Sequence, residues 1–207
     1  MWCTKIRPLP LLGLVLLAVA SACAPGASSG EAPLISVPDN GSLRALVYDG
    51  SGGGLLKAAP GGVYRSGDAA KSWVPLPVRG PLKPSGFSSV TTSWENPKTL
   101  AASGPEVGVI ASQDGGQSWK AVDSGLPNQR VPAVALHVNR PQTLYAWPEG
   151  KGIYKTENLG GTWQRMDDGP PVSKINALAH STLPGSMNTG WLYAASPEGL
   201  YLSMDCF

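Results

Sequence analysis

The chain has 207 residues, with 26 glycines, 20 prolines, three cysteines and a formal net charge of +2. Charged residues make up 14% of the chain and form no basic run, so we do not expect nucleic-acid binding, which depends on clustered phosphate contacts. The glycines and prolines lie between short alternating apolar segments, a pattern that favours an all-β protein over a low-complexity one.

The N-terminal residues 1–22 are predicted to be an export signal. Lys5 and Arg7 supply positive charge before an apolar run of 12 residues, and that run is too short to span a bilayer, which takes about 20 residues. Removal of the two cations leaves a formally neutral mature chain.

The end of this signal, Ala-Ser-Ala-Cys, resembles a bacterial lipobox, although Ala20 stands where leucine is more usual. Lipid would then attach to Cys23, and the Gly/Ser/Pro-rich residues 23–32 would form a flexible tether. Ordinary cleavage after Ala22 is the alternative, and it would leave Cys23 as a free thiol. We favour lipidation, which anchors a protein to the membrane without spanning it.

Residues 33–207 are predicted to form repeated units of four short strands. The third strand of each unit is the clearest, reading GVYRS, GVIAS, GIYKT and GLYLS from Gly62, Gly108, Gly152 and Gly199. Four strands in about 40 to 45 residues is the period of a β-propeller blade. We place the blades at about 33–80, 87–130, 131–171 and 172–207, with the last one incomplete because the sequence stops inside its turn.

A polar turn follows each of these third strands. In it a hydroxyl and a carboxylate or amide can accept backbone N–H groups, and a glycine can take a positive φ. The residues are Ser66, Asp68 and Trp73; Ser112, Asp114, Gly116 and Trp119; Thr156, Asn158, Gly160 and Trp163; and Ser203 and Asp205. Two departures are that Ala70 replaces the second glycine of the first turn and Asn158 replaces aspartate in the third.

The pattern S-x-D-x-G-x-[ST]-W resembles the Asp-box, or bacterial neuraminidase repeat, of sialidases, sortilin-type domains and photosystem II assembly factors. The resemblance implies an all-β propeller whose boxes join the third and fourth strands of each blade, with the tryptophan packed into the blade. It also implies that the boxes lie on the face opposite the active site. We therefore interpret these turns as architectural.

No catalytic, cofactor or metal site is predicted. Each polar turn offers one carboxylate, too few for calcium, which takes about six to eight oxygens. His137 and His180 fall at matching repeat positions, and we favour packing over metal binding for two imidazoles with no matching acid. The resemblance to sialidases transfers no catalytic residue, since too few arginines remain away from the box side to form their triad.

The candidate ligand face is the one opposite the polar turns. Pro-Glu turns between the second and third strands place Glu106, Glu149 and Glu198 there, and they could contact a cationic or hydroxyl-rich ligand. Trp147 and Trp191 flank loops and could stack on sugar rings, although blade core is the plainer interpretation. A solvated turn is likewise the plainer interpretation of each glutamate.

Taken together, the sequence predicts an exported, lipid-anchored propeller at the bacterial cell envelope. We expect a non-catalytic scaffold that binds a protein or glycan ligand. The alternative is a fragment or divergent member of a sialidase-like glycoside hydrolase. The incomplete last blade suggests either a truncated longer propeller or an open arc that needs a partner, and Cys206 has no disulfide partner in the mature chain.

Overall fold

A computed structural model describes residues 2–3, 43–51, 53–78, 86–182 and 190–203. These residues form sixteen strands and no helix, and none of them therefore belongs to a helix long and apolar enough to cross a membrane. The predicted lipid site Cys23, the tether 23–32, Asp205 and Cys206 lie outside the described residues.

The strands form four antiparallel sheets of four strands each. The first sheet contains β2 (Ala45–Asp49), β3 (Gly54–Ala59), β4 (Gly62–Ser66) and β5 (Val74–Leu76). The second contains β6 (Ser89–Thr92), β7 (Leu100–Gly104), β8 (Gly108–Ser112) and β9 (Lys120–Ala121). The third contains β10 (Ala133–His137), β11 (Arg140–Trp147), β12 (Ile153–Thr156) and β13 (Gln164–Asp167). The fourth contains β14 (Ala177–Ser181), β15 (Trp191–Ser196), β16 (Gly199–Ser203) and β1 (Trp2–Cys3).

Each sheet is a blade of a four-bladed β-propeller, which confirms the predicted fold class. Successive blades contact one another through their innermost strands, β2 with β6, β6 with β10, and β10 with β14. Among the described residues no strand pair of the first and fourth sheets makes a comparably extensive contact. The described residues therefore form an arc of four blades whose first and last sheets are not in extensive contact.

The fourth sheet differs from the expectation of an incomplete blade. Its outer strand is β1, in which Trp2 is paired with Ser203 and Cys3 with Leu202. This pairing covers the edge of β16 at Leu202 and Ser203, which would otherwise present unpaired backbone groups. Because β1 lies inside the predicted export signal, a chain cleaved before Cys23 would lack this strand.

Three apolar clusters fill the three junctions between neighbouring sheets. Leu56, Val90, Leu100, Ile110 and Trp119 are among the residues buried between the first and second sheets. A second cluster lies between the second and third sheets and a third between the third and fourth. All five residues of the central strand β10 are buried, whereas β2 and β14 at the ends of the arc are partly exposed.

Hydroxyl groups join the second and third sheets, which accounts for the polar strand FSSVTTS. Ser89 Oγ donates to the carbonyl of Val134 (3.2 Å) and accepts from its N–H (3.3 Å), while Thr91 Oγ1 accepts from Leu136 N–H (3.2 Å). Ser88 Oγ donates to Pro132 O (2.7 Å). The hydroxyls of Ser88, Ser89 and Thr91 are stable here because each has a backbone partner, whereas the buried Thr92 Oγ1 has none among the described residues.

Strand direction separates two faces of the arc. In each sheet the third strand ends at its polar turn, and the connection from the second strand to the third lies at the opposite end. The polar turns therefore share one face, here called the turn face. The Pro-Glu turns share the other, here called the cavity face.

Candidate functional site

The second polar turn, residues 112–119, is closed by its own side chains. Ser112 Oγ accepts from Gly116 N–H (2.8 Å) and donates to Asp114 Oδ1 (2.7 Å). Asp114 Oδ1 also accepts from Ser118 N–H (2.9 Å), and its Oδ2 accepts from the Ser118 hydroxyl (2.5 Å). The hydroxyl and carboxylate groups of this turn are therefore hydrogen-bonded within the turn itself.

The first and third turns repeat this arrangement. Ser66 Oγ accepts from Ala70 N–H (2.9 Å), and Thr156 Oγ1 accepts from Gly160 N–H (3.0 Å). In the third turn Asn158 Oδ1 replaces the carboxylate oxygen and accepts from Thr162 N–H (2.8 Å). The amide oxygen of Asn158 thus accepts the same backbone hydrogen bond as the carboxylate of Asp114. This supports a role for the residue at this position in binding the backbone of the turn. In the fourth sheet Ser203 is buried at the end of β16.

The second and third turns are wedged against the preceding sheet. Gly116 (φ 91°) and Gly160 (φ 87°) are buried, and a Cβ added to Gly160 would lie 2.3 Å from Val122 O. A Cβ at Gly116 would lie 2.7 Å from the Cδ1 of Leu76. Glycine is therefore required here by space as well as by φ. The Trp163 indole also donates to Val122 O (2.7 Å).

Among the described residues, no sheet precedes the first turn in the order of the arc. Ala69 and Ala70 adopt φ of 58° and 67°, so alanine makes the turn in the left-handed region, and Ala70 is only half-buried. Trp73 is covered from its own sheet, with Lys57 Nζ 4.5 Å from its ring centroid. Burial lowers the pKa of Lys57. The departure at Ala70 thus coincides with an open end of the arc.

The carboxylates of the first two turns are held in the charged form. Hydrogen bonds from the Ser72 hydroxyl, the Ser72 N–H and the Ser66 hydroxyl lower the pKa of Asp68 to about 2. The corresponding bonds from Ser118 and Ser112 hold the pKa of Asp114 well below its usual range. Among the described residues no three His, Cys, Asp or Glu side chains are grouped closely enough to hold a metal ion.

A cavity of about 470 Å³ opens on the cavity face, where the innermost strands of all four sheets begin. Apolar and charged residues both line it. Its lining includes Leu43, Arg44, Phe87, Glu106, Lys174 and Ile175. Sequence reasoning identified Glu106 but missed Arg44 and Lys174. The signal was available, since both residues stand just before the first strand of a repeat, on the side of the Pro-Glu turns.

Only one of the three predicted glutamates lines this cavity. Glu149 instead forms an ion pair with Arg130 (Nε to Oε2 2.7 Å), and this contact raises the pKa of the arginine. Glu198 is exposed, and its backbone N–H donates to Ser196 Oγ (3.1 Å). The three glutamates lie in turns on one face, but they do not surround one cavity.

Neither predicted tryptophan lines the cavity. Trp147 is 3% exposed and packs in the cluster between the third and fourth sheets. Trp191 is half-buried and paired with Ser181 at the end of its strand that lies towards the turn face. Blade core therefore describes Trp147 better than sugar stacking does.

His137 and His180 lie in contact at the junction of the third and fourth sheets. Their ring centroids are 4.0 Å apart, and Tyr145 stacks on His180 at 5.5 Å. Each Nδ1 accepts a backbone N–H, from Asn139 for His137 (3.1 Å) and from Val138 for His180 (3.2 Å). Both imidazoles therefore pack at this junction. Burial of the neighbouring Tyr145 raises its pKa to about 12.

A second cavity, of about 390 Å³, lies on the turn face between the second and third turns. Ser112, Asp114, Ser118 and Asn158 line part of it. The side-chain oxygens of these residues already make hydrogen bonds within the turns. They therefore offer a ligand few additional hydrogen bonds.

No family model matches the sequence, and no curated protein does so either. Solved structures match the fold. YCF48 bound to D1 peptide superposes with a TM-score of 0.58 at 18% identity, over 78% of this chain and 48% of that one. The GH74 xyloglucanase from Xanthomonas campestris gives 0.58 at 22% identity, over 79% and 23%. The RRP9 WD40 repeats give 0.57 at 13%, over 78% and 50%.

These neighbours are propellers, and at such identities they share the fold with this chain. The chain spans about half the length of YCF48 and of the RRP9 repeats, and about a quarter of the xyloglucanase.

Proposed function

We propose that this protein is a non-catalytic propeller scaffold that binds a protein ligand in the cavity of about 470 Å³ on its cavity face. The observation that carries the proposal is the lining of that cavity. Leu43, which is 57% exposed, supplies apolar surface, and the exposed Arg44, Glu106 and Lys174 supply charges of both signs. A site of this composition suits a peptide or protein loop, which presents apolar and charged groups together.

The number of carboxylates that line the cavity supports a ligand-binding function in preference to glycoside hydrolysis. Glu106 is the one carboxylate among its described lining residues. Glycoside hydrolysis by the common mechanisms uses two carboxyl groups about 5 to 10 Å apart. Among the neighbours, YCF48 is seen with a D1 peptide, which gives a precedent for peptide binding on this fold.

The experiment is site-specific photocrosslinking in intact cells, with a photoreactive amino acid at Lys174 and, as a matched control, at Lys71. Both lysines are exposed, but Lys174 lines the cavity and Lys71 lies in the first polar turn. We expect a protein adduct from position 174, weakened by Arg44→Ala, and none from position 71. Equal adducts from both positions would contradict binding at the cavity.

We further propose that the protein is exported and anchored to the bacterial cell envelope by lipid on Cys23. The residues Ala-Ser-Ala-Cys and the tether that follows support this. Labelling with a palmitate analogue tests it, with Cys206→Ala as the control for thiol-dependent labelling. Label that survives Cys23→Ala would rule out this anchor.

A second candidate is a glycoside hydrolase, favoured by the fold shared with the GH74 xyloglucanase. A panel of fluorogenic glycosides and xyloglucan tests this candidate on the purified chain. Turnover that is abolished by Glu106→Gln would establish the enzyme and remove the non-catalytic proposal. We expect no turnover.

A further inference from the structure

We propose that His137 and His180 form a pH-sensitive contact, which holds the fourth sheet on the third while both imidazoles are neutral and releases it when they are protonated. The proposal concerns the junction of two sheets and does not depend on the proposed ligand site. It starts from the fact that the chain contains two histidines and that the fold brings them together.

The two histidines lie on the innermost strands of neighbouring sheets. His137 is the last residue of β10 and His180 lies near the end of β14, and these two strands pack on one another. The ring centroids are 4.0 Å apart, His137 is 2% exposed and His180 is half-buried. Two groups that titrate near pH 6.5 in water are therefore held side by side in a packed junction.

The hydrogen bonds at the two Nδ1 atoms require neutral rings. Val138 N–H donates to His180 Nδ1 (3.2 Å), and Asn139 N–H donates to His137 Nδ1 (3.1 Å). A nitrogen that accepts a hydrogen bond carries a lone pair, so the proton of each neutral ring is on Nε2. Protonation would place an N–H group on Nδ1 opposite the backbone N–H, and both hydrogen bonds would be lost.

The hydrogen bond from Val138 to His180 joins two sheets, because Val138 directly follows β10 and His180 belongs to β14. Protonation of His180 would therefore remove a polar link across the junction and take away the acceptor of the Val138 N–H. Two imidazolium rings with centroids 4.0 Å apart would also repel one another, since they carry like charges. Protonation thus weakens the junction in two ways.

One titratable and one charged residue of β11 lie beside the pair. Tyr145 stacks on His180 with ring centroids 5.5 Å apart, and burial raises the pKa of its phenol to about 12, so the phenol stays neutral. Arg140 is paired with His137 in the β-ladder, and its charge also acts on Tyr145. The strands β10, β14 and β15 contain no Asp, Glu, Lys or Arg. An added proton therefore meets a neutral phenol and a permanent cation.

Two carboxylates lie on the elements around this junction, and both are exposed. Glu157 follows β12 and forms an ion pair with Lys155 (2.7 Å). Glu95 lies in the loop after β6, and its N–H donates to Val138 O (3.4 Å). Charges that water screens contribute little to stabilising a pair of imidazolium ions inside the junction.

Acid should therefore release the fourth sheet. Among the described residues its strands make extensive contact with the third sheet and with no other sheet. The released imidazoles bind protons more readily than the packed ones, so a falling pH favours release. The contact is fully present above about pH 7 and is lost as the pH falls through the range in which free histidine titrates, near 6.5.

The test is hydrogen–deuterium exchange of the full chain at about pH 7.5 and about pH 5.5, corrected for the intrinsic dependence of exchange on pH. Peptides from β14 to β16 report on the junction, and peptides from β6 to β8 are the internal control. Protection of β14 to β16 should fall about 10-fold for each imidazole that is neutral in the junction and protonated after release, hence up to about 100-fold. Protection of β6 to β8 should not change. Equal protection at both pH values, or an equal loss in both segments, would overturn the proposal.

Replacement of both histidines by asparagine separates titration from hydrogen bonding. In His137→Asn, His180→Asn the Oδ1 atoms can accept the backbone N–H groups as Nδ1 does, but they do not titrate. The double variant should therefore have similar protection at the two pH values, and each single variant should show a smaller fall than the wild type. The matched control Tyr145→Phe keeps the stacked ring and both imidazoles, so it should keep the whole response.

The variants also decide the case in which the double variant does not fold at about pH 7.5. The single variants then make the same comparison, because each retains one imidazole. A double variant with the wild-type response to pH, or two single variants with that full response, would overturn the proposal.

Discussion

The second and third polar turns differ from the first in what lies behind them. Gly116 and Gly160 are buried against the preceding sheet, whereas Ala70 is half-buried at the open end of the arc. All three turns share the hydrogen bond in which the first hydroxyl accepts from the backbone N–H four residues later. The comparison teaches that the hydrogen bonds shape the turn, while packing between sheets decides which residue the turn can contain.

The largest effect is expected for Gly160→Ala. Its Cβ would meet Val122 O at 2.3 Å and would have to adopt a φ of 87°. Overpacking costs about 1 to 3 kcal/mol and left-handed geometry about 1 to 2 kcal/mol, so we expect a loss of roughly 2 to 5 kcal/mol. Urea unfolding of the variant measures this loss.

The control for that experiment is Gly116→Ala, where the Cβ meets the flexible end of Leu76. It should cost less than Gly160→Ala because a side-chain tip can move and a backbone carbonyl cannot. Equal losses in the free energy of unfolding of the two variants would argue against a close contact between Gly160 and the backbone of Val122.

Ser112→Ala should have the next largest effect. The substitution removes the hydroxyl that accepts from the buried Gly116 N–H and leaves that donor unsatisfied. Such a loss costs about 1 to 3 kcal/mol. Ser66→Ala makes the same change in the more exposed first turn, where water can replace the hydroxyl. Denaturation of the two variants side by side should give a smaller loss for Ser66→Ala, and the reverse order would contradict the comparison.

Acid should weaken the first two turns more than the third, in which Asn158 replaces the aspartate and the exposed Glu157 is paired with Lys155. Asp68 titrates at about 2 in the folded chain and at about 4 when unfolded, so its stabilising contribution is present above pH 4 and lost as the pH falls towards 2. Asp114 behaves in the same direction. The Asp68→Asn, Asp114→Asn double variant should lose less stability than the wild type between pH 5 and pH 2.5. Parallel losses in the two proteins would show that these carboxylates do not carry the effect.

The smallest effect is expected for Ala70→Gly. The substitution relieves a left-handed alanine but makes the unfolded chain more flexible, so the two changes nearly offset at about 1 kcal/mol each. Thermal unfolding should differ little from that of the wild type. A large loss would mean that the Ala70 methyl makes contacts of its own.

The repeat could be predicted from the sequence, because the strands and the polar turns recur at a near-constant interval along the chain. The turn hydrogen bonds could also be predicted, since Ser, Asp and Thr reach only their own backbone at that spacing. The cavity was predicted in part. Glu106 stood in a recurrent turn, whereas Arg44 and Lys174 belong to no recurrent motif, and their position just before a first strand was the one signal for them.

The histidines illustrate a different limit. Sequence spacing put His137 and His180 at matching positions, whereas a register shift between Leu136 and His137 accompanies their placement on facing strands. A shift of one residue reverses which side of a strand a residue occupies, and repeat alignment alone does not detect it.

The central claim is that the internal polar turns belong to the packed junctions and that ligand binding belongs to the opposite face. Amide hydrogen exchange at Gly116, Gly160 and Ala70 tests the first half of that claim most directly. The Gly116 and Gly160 amides should exchange as slowly as those of the buried strand β10, and the Ala70 amide should exchange faster. Exchange at Gly116 and Gly160 as fast as in exposed loops would contradict the account.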